Sequence, residues 1–397
     1  MTYTEKQKEV LKLFKEGKLR RLNILHGSIR SGKTWISLVL WAFWVAISPK
    51  DMSYLMVAKT LTSLKRNCLD LLEALVGRKN FTYSISQKQA ELFGRKIYLE
   101  GVNDARAESK IRGMTLMGAY CDELTLFTED FFSMLLSRLS ESGAKLFGTT
   151  NPDNPNHWLK RGYIDRADEL DMLNVKFLID ENTTLDPTYV KQIKAENQGV
   201  FYDRFILGEW VVAEGLVYPF FSKEKHCFDV LPEGDYEWFV SVDYGTQNPF
   251  AMHLWAFNEQ KGVAYVAKEY YYDGREKRRL KTDADYYNDL FEFCKGRKIE
   301  NIIIDPSAAS FKAEIRSHGY FSCMNANNAV IDGIRNTASY LQAGKIYIQK
   351  DCEKTIKEFG IYSWDDKSTE DKVIKENDHA MDSIRYMVHT VLKKRMY

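Results

Sequence analysis

The octapeptide Gly27-Ser28-Ile29-Arg30-Ser31-Gly32-Lys33-Thr34 constrains this chain more than any other stretch. It matches G-x-x-x-x-G-K-[ST] in full and lies between a strand-like run, Leu22-Asn23-Ile24-Leu25-His26, and a helical one. Glycines let backbone N–H groups wrap a polyphosphate where a helix begins, and there the unpaired donors and the helix dipole both favour negative charge. Lys33 is placed to reach the β and γ phosphates and Thr34 to hold Mg²⁺. By residue frequencies such a pattern arises by chance in about one chain of this length in a hundred, before the flanking strand and helix are demanded.

Hydrolysis needs more than a cradle: an acid at a neighbouring strand end to position Mg²⁺, and a base to orient water. The apolar run Leu116 to Cys121 ends in Asp122-Glu123, which puts Asp122 by the metal and Glu123 by the γ phosphate. A third strand, Ala144 to Gly148, ends in Thr149-Thr150-Asn151-Pro152. Those residues read either as a γ-phosphate sensor or as turn chemistry. Arg30 is either solvent-facing or a guanidinium that stabilises charge on the γ phosphate. Gln7, on a leading helix, is either an adenine contact or an exposed helical glutamine.

From Tyr236 onward the pattern changes. Three strand-like runs (238–242, 250–257, 263–272) precede a helix at 285–294, a buried strand at 299–304, helices at 309–317 and 333–343, a short strand at 346–348 and a closing helix at 379–392. Three strands followed by alternating α and β is the order of a ribonuclease H-like fold. Asp243 ends the first strand, Asp305 ends the fourth, and Asp382 lies in the last helix. Such a cluster suits two divalent ions about 4 Å apart in phosphodiester cleavage. With hard oxygen donors and few histidines, the ions are Mg²⁺ or Mn²⁺ rather than zinc. Taken singly, each acid also has a local reading: Asp243 as a turn, Asp305 and Asp378 as helix caps. Asp378 is therefore read as cap or ligand, and His379 as ligand or partner of a ligand. His26, His157, His226, His253, His318 and His389 show no ligand spacing and read as structural.

With 397 residues, 45% of them hydrophobic, the chain suits two domains. The expectation is α/β throughout: a phosphate-loop ATPase domain over 1–180, a helical linker over 181–235, and a ribonuclease H-like nuclease domain over 236–397. A net charge of +1 excludes binding nucleic acid by bulk electrostatics, so a local patch is required. Gly274 to Lys281, with cations at Arg275, Lys277, Arg278, Arg279 and Lys281, reads either as that patch or as a solvated loop. The preceding Tyr270, Tyr271 and Tyr272 read as strand residues. Six dispersed cysteines without a C-x-x-C pair support neither a zinc ribbon nor a disulfide framework and point to a reducing compartment. Residues 1–16 read as a surface helix, not a signal peptide. Trp35 to Ile47 is shorter than the roughly 20 residues that cross a bilayer, and reads as a buried core helix.

A phosphate-loop ATPase followed by a ribonuclease H-like nuclease resembles the large terminase subunit of tailed bacteriophages. The resemblance rests on Gly27 to Thr34, Asp122-Glu123, Thr149-Thr150-Asn151-Pro152, Leu207-Gly208-Glu209-Trp210 with Glu214-Gly215, Asp243, Ile304-Asp305-Pro306-Ser307 and Asn377-Asp378-His379-Ala380-Met381-Asp382. It implies a motor that uses ATP and Mg²⁺ to move viral double-stranded DNA into procapsids and a nuclease that cuts concatemers. The partners it implies are a portal protein, a small terminase subunit and a ring of copies on the portal, with a free monomer, in the host cytoplasm and away from membranes. Asp243, Asp305 and Asp382 are then the nuclease ligands with His379 alongside, and the Thr-Thr-Asn run couples hydrolysis to movement. Only 26 residues precede the loop and 15 follow Asp382, which fits a compact member. An ATP-regulated recombinase of the transposase or resolvase kind, using the same carboxylates, is the alternative, and a non-enzymatic DNA-binding ATP switch a third.

Overall fold

The computed structural model describes residues 3–102, 107–245, 248–365, 368 and 370–396. It divides into two compact units, Met1–Val212 and Ala213–Tyr397, so residues 181–212 of the expected linker fall within the first.

The strands of the first unit are β1 (Leu22–Gly27), β2 (Tyr54–Ala58), β3 (Phe81–Ser84), β4 (Gln89–Leu92), β5 (Arg95–Gly101), β6 (Gly118–Cys121), β7 (Lys145–Thr150) and β8 (Met172–Phe177). They form one sheet in the order β3-β4-β5-β2-β6-β7-β1-β8. From β5 to β8 the pairing is parallel, and β3-β4-β5 add an antiparallel edge. Parallel strands are covered on both faces, which is why β1 and β2 are buried along their whole length, β2 as an unbroken apolar run and β1 with only Asn23 and His26 as polar side chains. One face packs on the helix Lys33–Ile47 through Ile36, Leu40, Trp41 and Trp44, and the other on Phe131, Phe132, Leu135 and Leu159. That helix is not wholly interior: Phe43 and Ile47 are exposed, with Phe43 stacked on Phe14 of the leading helix Glu5–Lys15. This is the phosphate-loop NTPase architecture, with β7 between the strand that feeds the loop and the strand that ends at Asp122.

Gly118, at the start of β6, makes room for the indole of Trp44. A Cβ there would lie 2.4 Å from Trp44, which is held among Trp41, Tyr54 and Phe147. Gly118→Ala is therefore expected to cost about 1–3 kcal/mol by overpacking, read as a lower denaturant midpoint with an unchanged slope.

The second unit contains β9 (Cys227–Phe228), β10 (Glu237–Asp243), β11 (Phe250–Asn258), β12 (Val263–Tyr272), β13 (Ile299–Ile304), β14 (Cys323–Asn325) and β15 (Ile346–Gln349), in the order β14-β13-β10-β11-β12-β15-β9. β10, β11 and β12 form an antiparallel meander, and β13 runs parallel to β10. This is the ribonuclease H-like arrangement anticipated from strand order, extended at one edge by β15 and β9. The closing helix is α-helical over His379–Met387 and then widens to a π turn over Val388–Leu392, so it is not one continuous α-helix to Leu392. It packs on β10 and β11.

A buried polar chain fixes its rotation. Ser383 Oγ lies 3.0 Å from Ser241 Oγ and 2.8 Å from His253 Nδ1, while His253 Nε2 lies 2.7 Å from Thr355 Oγ1. Burial pushes the His253 imidazole down to about 3, so at neutral pH it is an uncharged link in this chain, as its structural reading implied.

Candidate functional site

Backbone geometry explains the glycines of the loop in the first unit. Gly27 has φ 126°, and a Cβ there would lie 2.1 Å from the Phe177 carbonyl; Gly32 has φ 85°, and a Cβ would meet Gln7 Nε2 at 2.7 Å. Only glycine fits either position. The helix that starts at Lys33 has no side-chain cap, so its first N–H groups are free for an anion. A cavity of about 590 Å³ opens there, lined by Ile29, Arg30, Lys33 and Thr34 from the loop, Asp122 and Glu123 after β6, and Thr149, Thr150 and Asn151 from β7 and the following turn. The sequence-expected loop, acids and polar strand end therefore share one cavity. A cradle that tolerates no Cβ, with a hydroxyl at Thr34 and a carboxylate at Asp122 facing it, fits a nucleotide polyphosphate with Mg²⁺.

Lys33 is buried, and its Nζ donates to the Ser28 carbonyl at 2.6 Å, the Gly27 carbonyl at 3.3 Å, Ser31 Oγ at 3.4 Å and Asn151 Oδ1 at 3.0 Å. Burial pushes it down to about 8 against the opposing pull of Glu123 and Asp122. Asp122 accepts from Thr149 Oγ1 at 2.9 Å and from Asn67 Nδ2 at 3.1 Å. Thr149 and Thr150 lie inside β7 and not in a turn, Thr149 bonding the acid and Thr150 Oγ1 accepting from the Thr125 N–H at 3.2 Å. Glu123 adopts a left-handed conformation with φ 56°, strain that places a non-glycine residue against the cavity. Arg30, also left-handed, lines the cavity, and its carbonyl accepts from Asn182 Nδ2. Gln7 is buried, not exposed: its Oε1 accepts from the Thr4 N–H at 3.1 Å in a capping box, and its amide nitrogen stands against Gly32. Arg66 and Asn67 also line the cavity and carried no motif; they sit on a π turn at Lys65–Leu69 that only the fold brings there.

In the second unit Val242 of β10 pairs with Ile304 of β13, so Asp243 and Asp305 emerge side by side from parallel neighbours. The Tyr386 hydroxyl spans them, at 2.9 Å from Asp305 Oδ2 and 3.3 Å from Asp243 Oδ1. His379 Nδ1 lies 2.8 Å from Asp243 Oδ2. Asp382, one turn before Tyr386, pairs with Arg385 at 2.9 Å and Lys375 at 3.3 Å, and Lys375 also meets Asp378 at 3.1 Å. Burial, with Asp382 and Asp305 as like charges, raises Asp243 above the usual carboxylate range although His379 opposes it. Asp305 goes the other way: burial raises it, but hydrogen bonds from Ser307 and Tyr386 and the charge of Arg385 bring it below that range. His379 is raised despite burial, by Asp243, Asp378 and Glu358.

The fold thus gathers Asp243, Asp305, Asp378, His379 and Asp382. Among the described residues no three His, Cys, Asp or Glu side chains close as a cage around one point, and Tyr386, Lys375 and Arg385 engage carboxylate oxygens of the cluster. The four carboxylates are hard oxygen donors, which suits Mg²⁺ or Mn²⁺, while the His379 nitrogen faces Asp243. Asp378 occupies the cap position without capping. That task falls to Glu358, whose Oε2 accepts from the Ala380 N–H at 2.8 Å and the Met381 N–H at 3.3 Å, and which burial pushes up to about 7. Tyr386 and Arg385 share the Asp382 face of the helix at spacings of four and three, a periodic signal that was available in the sequence. Glu358, on the helix Glu353–Phe359, had none. In the basic stretch, Arg275 to Leu280 are exposed, whereas the Lys281 ammonium is engaged by Asp289 and Tyr270, leaving four cations turned to solvent.

The family model described as "Terminase large subunit, T4likevirus-type, N-terminal" matches residues 24–225. The large terminase of a thermophilic bacteriophage is 35% identical, with 99% of this chain and 100% of that one covered and a TM-score of 0.93; its complex with ATP-gamma-S aligns with a TM-score of 0.90 over 98% of this chain. The large terminase subunit of Escherichia phage T5 is 21% identical over 276 residues, 66% of this chain and 61% of that protein's length. With a matching model over half its length and a relative of this identity along nearly all of it, the chain belongs to the family of phage large terminase subunits.

Proposed function

We propose that this chain is an ATP-driven motor that moves viral double-stranded DNA into procapsids and a divalent-metal endonuclease that cuts concatemers. The observation that carries the reading is the single cavity in which Lys33 and Thr34 face Asp122 and Glu123, on the same chain as the Asp243–Asp305–Asp382 cluster. Lys33 and the loop N–H groups bind the polyphosphate, Thr34 and Asp122 hold its Mg²⁺, Glu123 takes the proton of the attacking water, and Arg30 offsets charge on the γ phosphate. The ATP-gamma-S complex of the thermophilic-phage relative supports the nucleotide assignment.

In the second unit, Asp243, Asp305 and Asp382 would hold two Mg²⁺ or Mn²⁺ ions, with Asp378 next to them. Such ions activate water and stabilise the leaving 3′ oxygen. His379 orients Asp243 through the 2.8 Å contact. The exposed Arg275, Lys277, Arg278 and Arg279 supply backbone contact without base readout, which suits movement along any sequence. A portal protein, a small terminase subunit and further copies in a ring complete the machine, in the cytoplasm of the infected or lysogenic host; among the described residues no helix is long and apolar enough to cross a membrane.

Incubating the protein with supercoiled plasmid and Mg²⁺, Mn²⁺ or chelator tests the nuclease assignment. Nicked and linear products that depend on the ion are expected. Joined ends would instead favour the recombinase alternative, and intact plasmid in every arm would leave only an ATP switch.

A further inference from the structure

The last helix of the first unit, Val200–Phe205, is fastened to the phosphate loop. The Phe205 carbonyl accepts from the Ile29 N–H at 2.9 Å, and Gly208 packs so closely that a Cβ there would lie 3.1 Å from Gly27 Cα and 3.2 Å from the Ser28 nitrogen. Within this helix Arg204 is a cation only 3% exposed. Its Nη1 donates to Asp153 Oδ1 at 3.3 Å; its Nε donates to the Val211 carbonyl at 3.1 Å, and its Nη2 donates to the same carbonyl. A guanidinium out of water is costly unless its donors are met. Here one planar fork meets two chain segments at once.

Those segments have different attachments. Asp153 lies two residues after Asn151, whose Oδ1 accepts from Lys33, and Pro152 between them fixes its own φ, stiffening the link. Val211 is the next-to-last residue of the first unit, from which the chain leads to the second. The path Lys33–Asn151–Asp153–Arg204–Val211 is therefore continuous. A polyphosphate in the cradle competes with Asn151 and the Ser28 carbonyl for the Lys33 ammonium, so filling the cradle changes the first link of the path.

We propose that Arg204 is a positioning residue that transmits the nucleotide state of the Asn151–Asp153 turn to the chain exit at Val211. The inference rests on the ATP reading above. Neither Arg204 nor Asp153 lines the nucleotide cavity.

Backbone hydrogen exchange of the full chain, with and without Mg²⁺ and ATP-gamma-S, tests it. In the wild type, nucleotide is expected to slow exchange at 27–34 and to alter it by about threefold or more at 205–212. In Asp153→Ala the response at 27–34 persists, the response at 205–212 is lost, and ATP hydrolysis without DNA stays within about twofold of wild type. Arg204→Lys gives the same pattern, because an ammonium cannot serve both acceptors in a fixed fork. Should that buried substitution unfold the protein, Asp153→Ala, whose side chain is 36% exposed, carries the test alone. A wild-type response at 205–212 in Asp153→Ala overturns the relay, as does a wild-type response confined to 27–34. No response at 27–34 in the wild type overturns the ATP reading, and the relay with it.

Discussion

Lys33→Ala is expected to reduce ATP hydrolysis by about 10²–10³-fold or more, the loss seen when one preorganised charge donor is removed from a reaction centre. The ammonium is buried, and its present acceptors are the neutral Gly27 and Ser28 carbonyls, Ser31 and Asn151. A polyphosphate entering the cradle gives it anionic acceptors, so the electrostatic gain is greatest when the site is filled. The same burial makes this lysine a cost to the empty protein. Its pKa of about 8 against an ordinary 10.5 corresponds to a penalty on the order of 3 kcal/mol while both folded and unfolded chains are protonated, offset in part by the cavity that alanine would leave.

The sign follows from proton linkage. Below pH 8 the full penalty stands; between 8 and 10.5 the unfolded chain holds the extra proton and the penalty shrinks; above 10.5 it is gone. The variant should thus equal or exceed the wild type in thermal midpoint near neutrality, and any advantage should fade as pH rises through that window. Phosphate release and thermal unfolding in a pH series check both halves. Hydrolysis at the wild-type rate would remove Lys33 from the centre.

How much of this was legible in the sequence depends on how local each determinant is. The phosphate loop was readable because its chemistry lies in eight consecutive residues, with glycine at the two places where a Cβ would strike Phe177 or Gln7. β10, β13 and their terminal acids were readable because each is a mostly apolar buried run, broken in β10 only by Ser241, that closes on a carboxylate at the sheet edge. The β3-β4-β5 edge escaped notice because its alternation is interrupted by Lys88, Phe93 and Gly94 in left-handed turns, two of them not the expected glycine. Glu358, Arg204 and Asn67 were invisible for another reason: each acts on a residue 22 or more positions away, and nothing in its own neighbourhood marks it. Asp378 shows the converse, since a local cap pattern left it open between cap and ligand and the fold assigns the cap to Glu358.

The second large effect concerns the carboxylate cluster. Asp305→Asn and Asp243→Asn are each expected to lower ion-dependent plasmid cutting by about 10³-fold or more, while ATP hydrolysis persists, because removing one anion from a shared metal site disables the centre as a unit. Their effects on stability should differ. Asp243 is held above the usual carboxylate range by burial and by Asp382 and Asp305, so an amide there relieves repulsion and the thermal midpoint should hold or rise. Asp305 is held below that range by Ser307, Tyr386 and Arg385, so an amide forfeits favourable interactions and the midpoint should fall. Tyr386→Phe separates the hydroxyl from the acids: it removes the bond across Asp243 and Asp305 but no anion, so cutting should stay within about tenfold of wild type. Rates over a Mn²⁺ titration, with calorimetry on the same samples, decide the matter. Cutting by Asp305→Asn at the wild-type rate would remove the two strand-end acids from the chemistry, since a cluster that loses a ligand without consequence was never holding the ions.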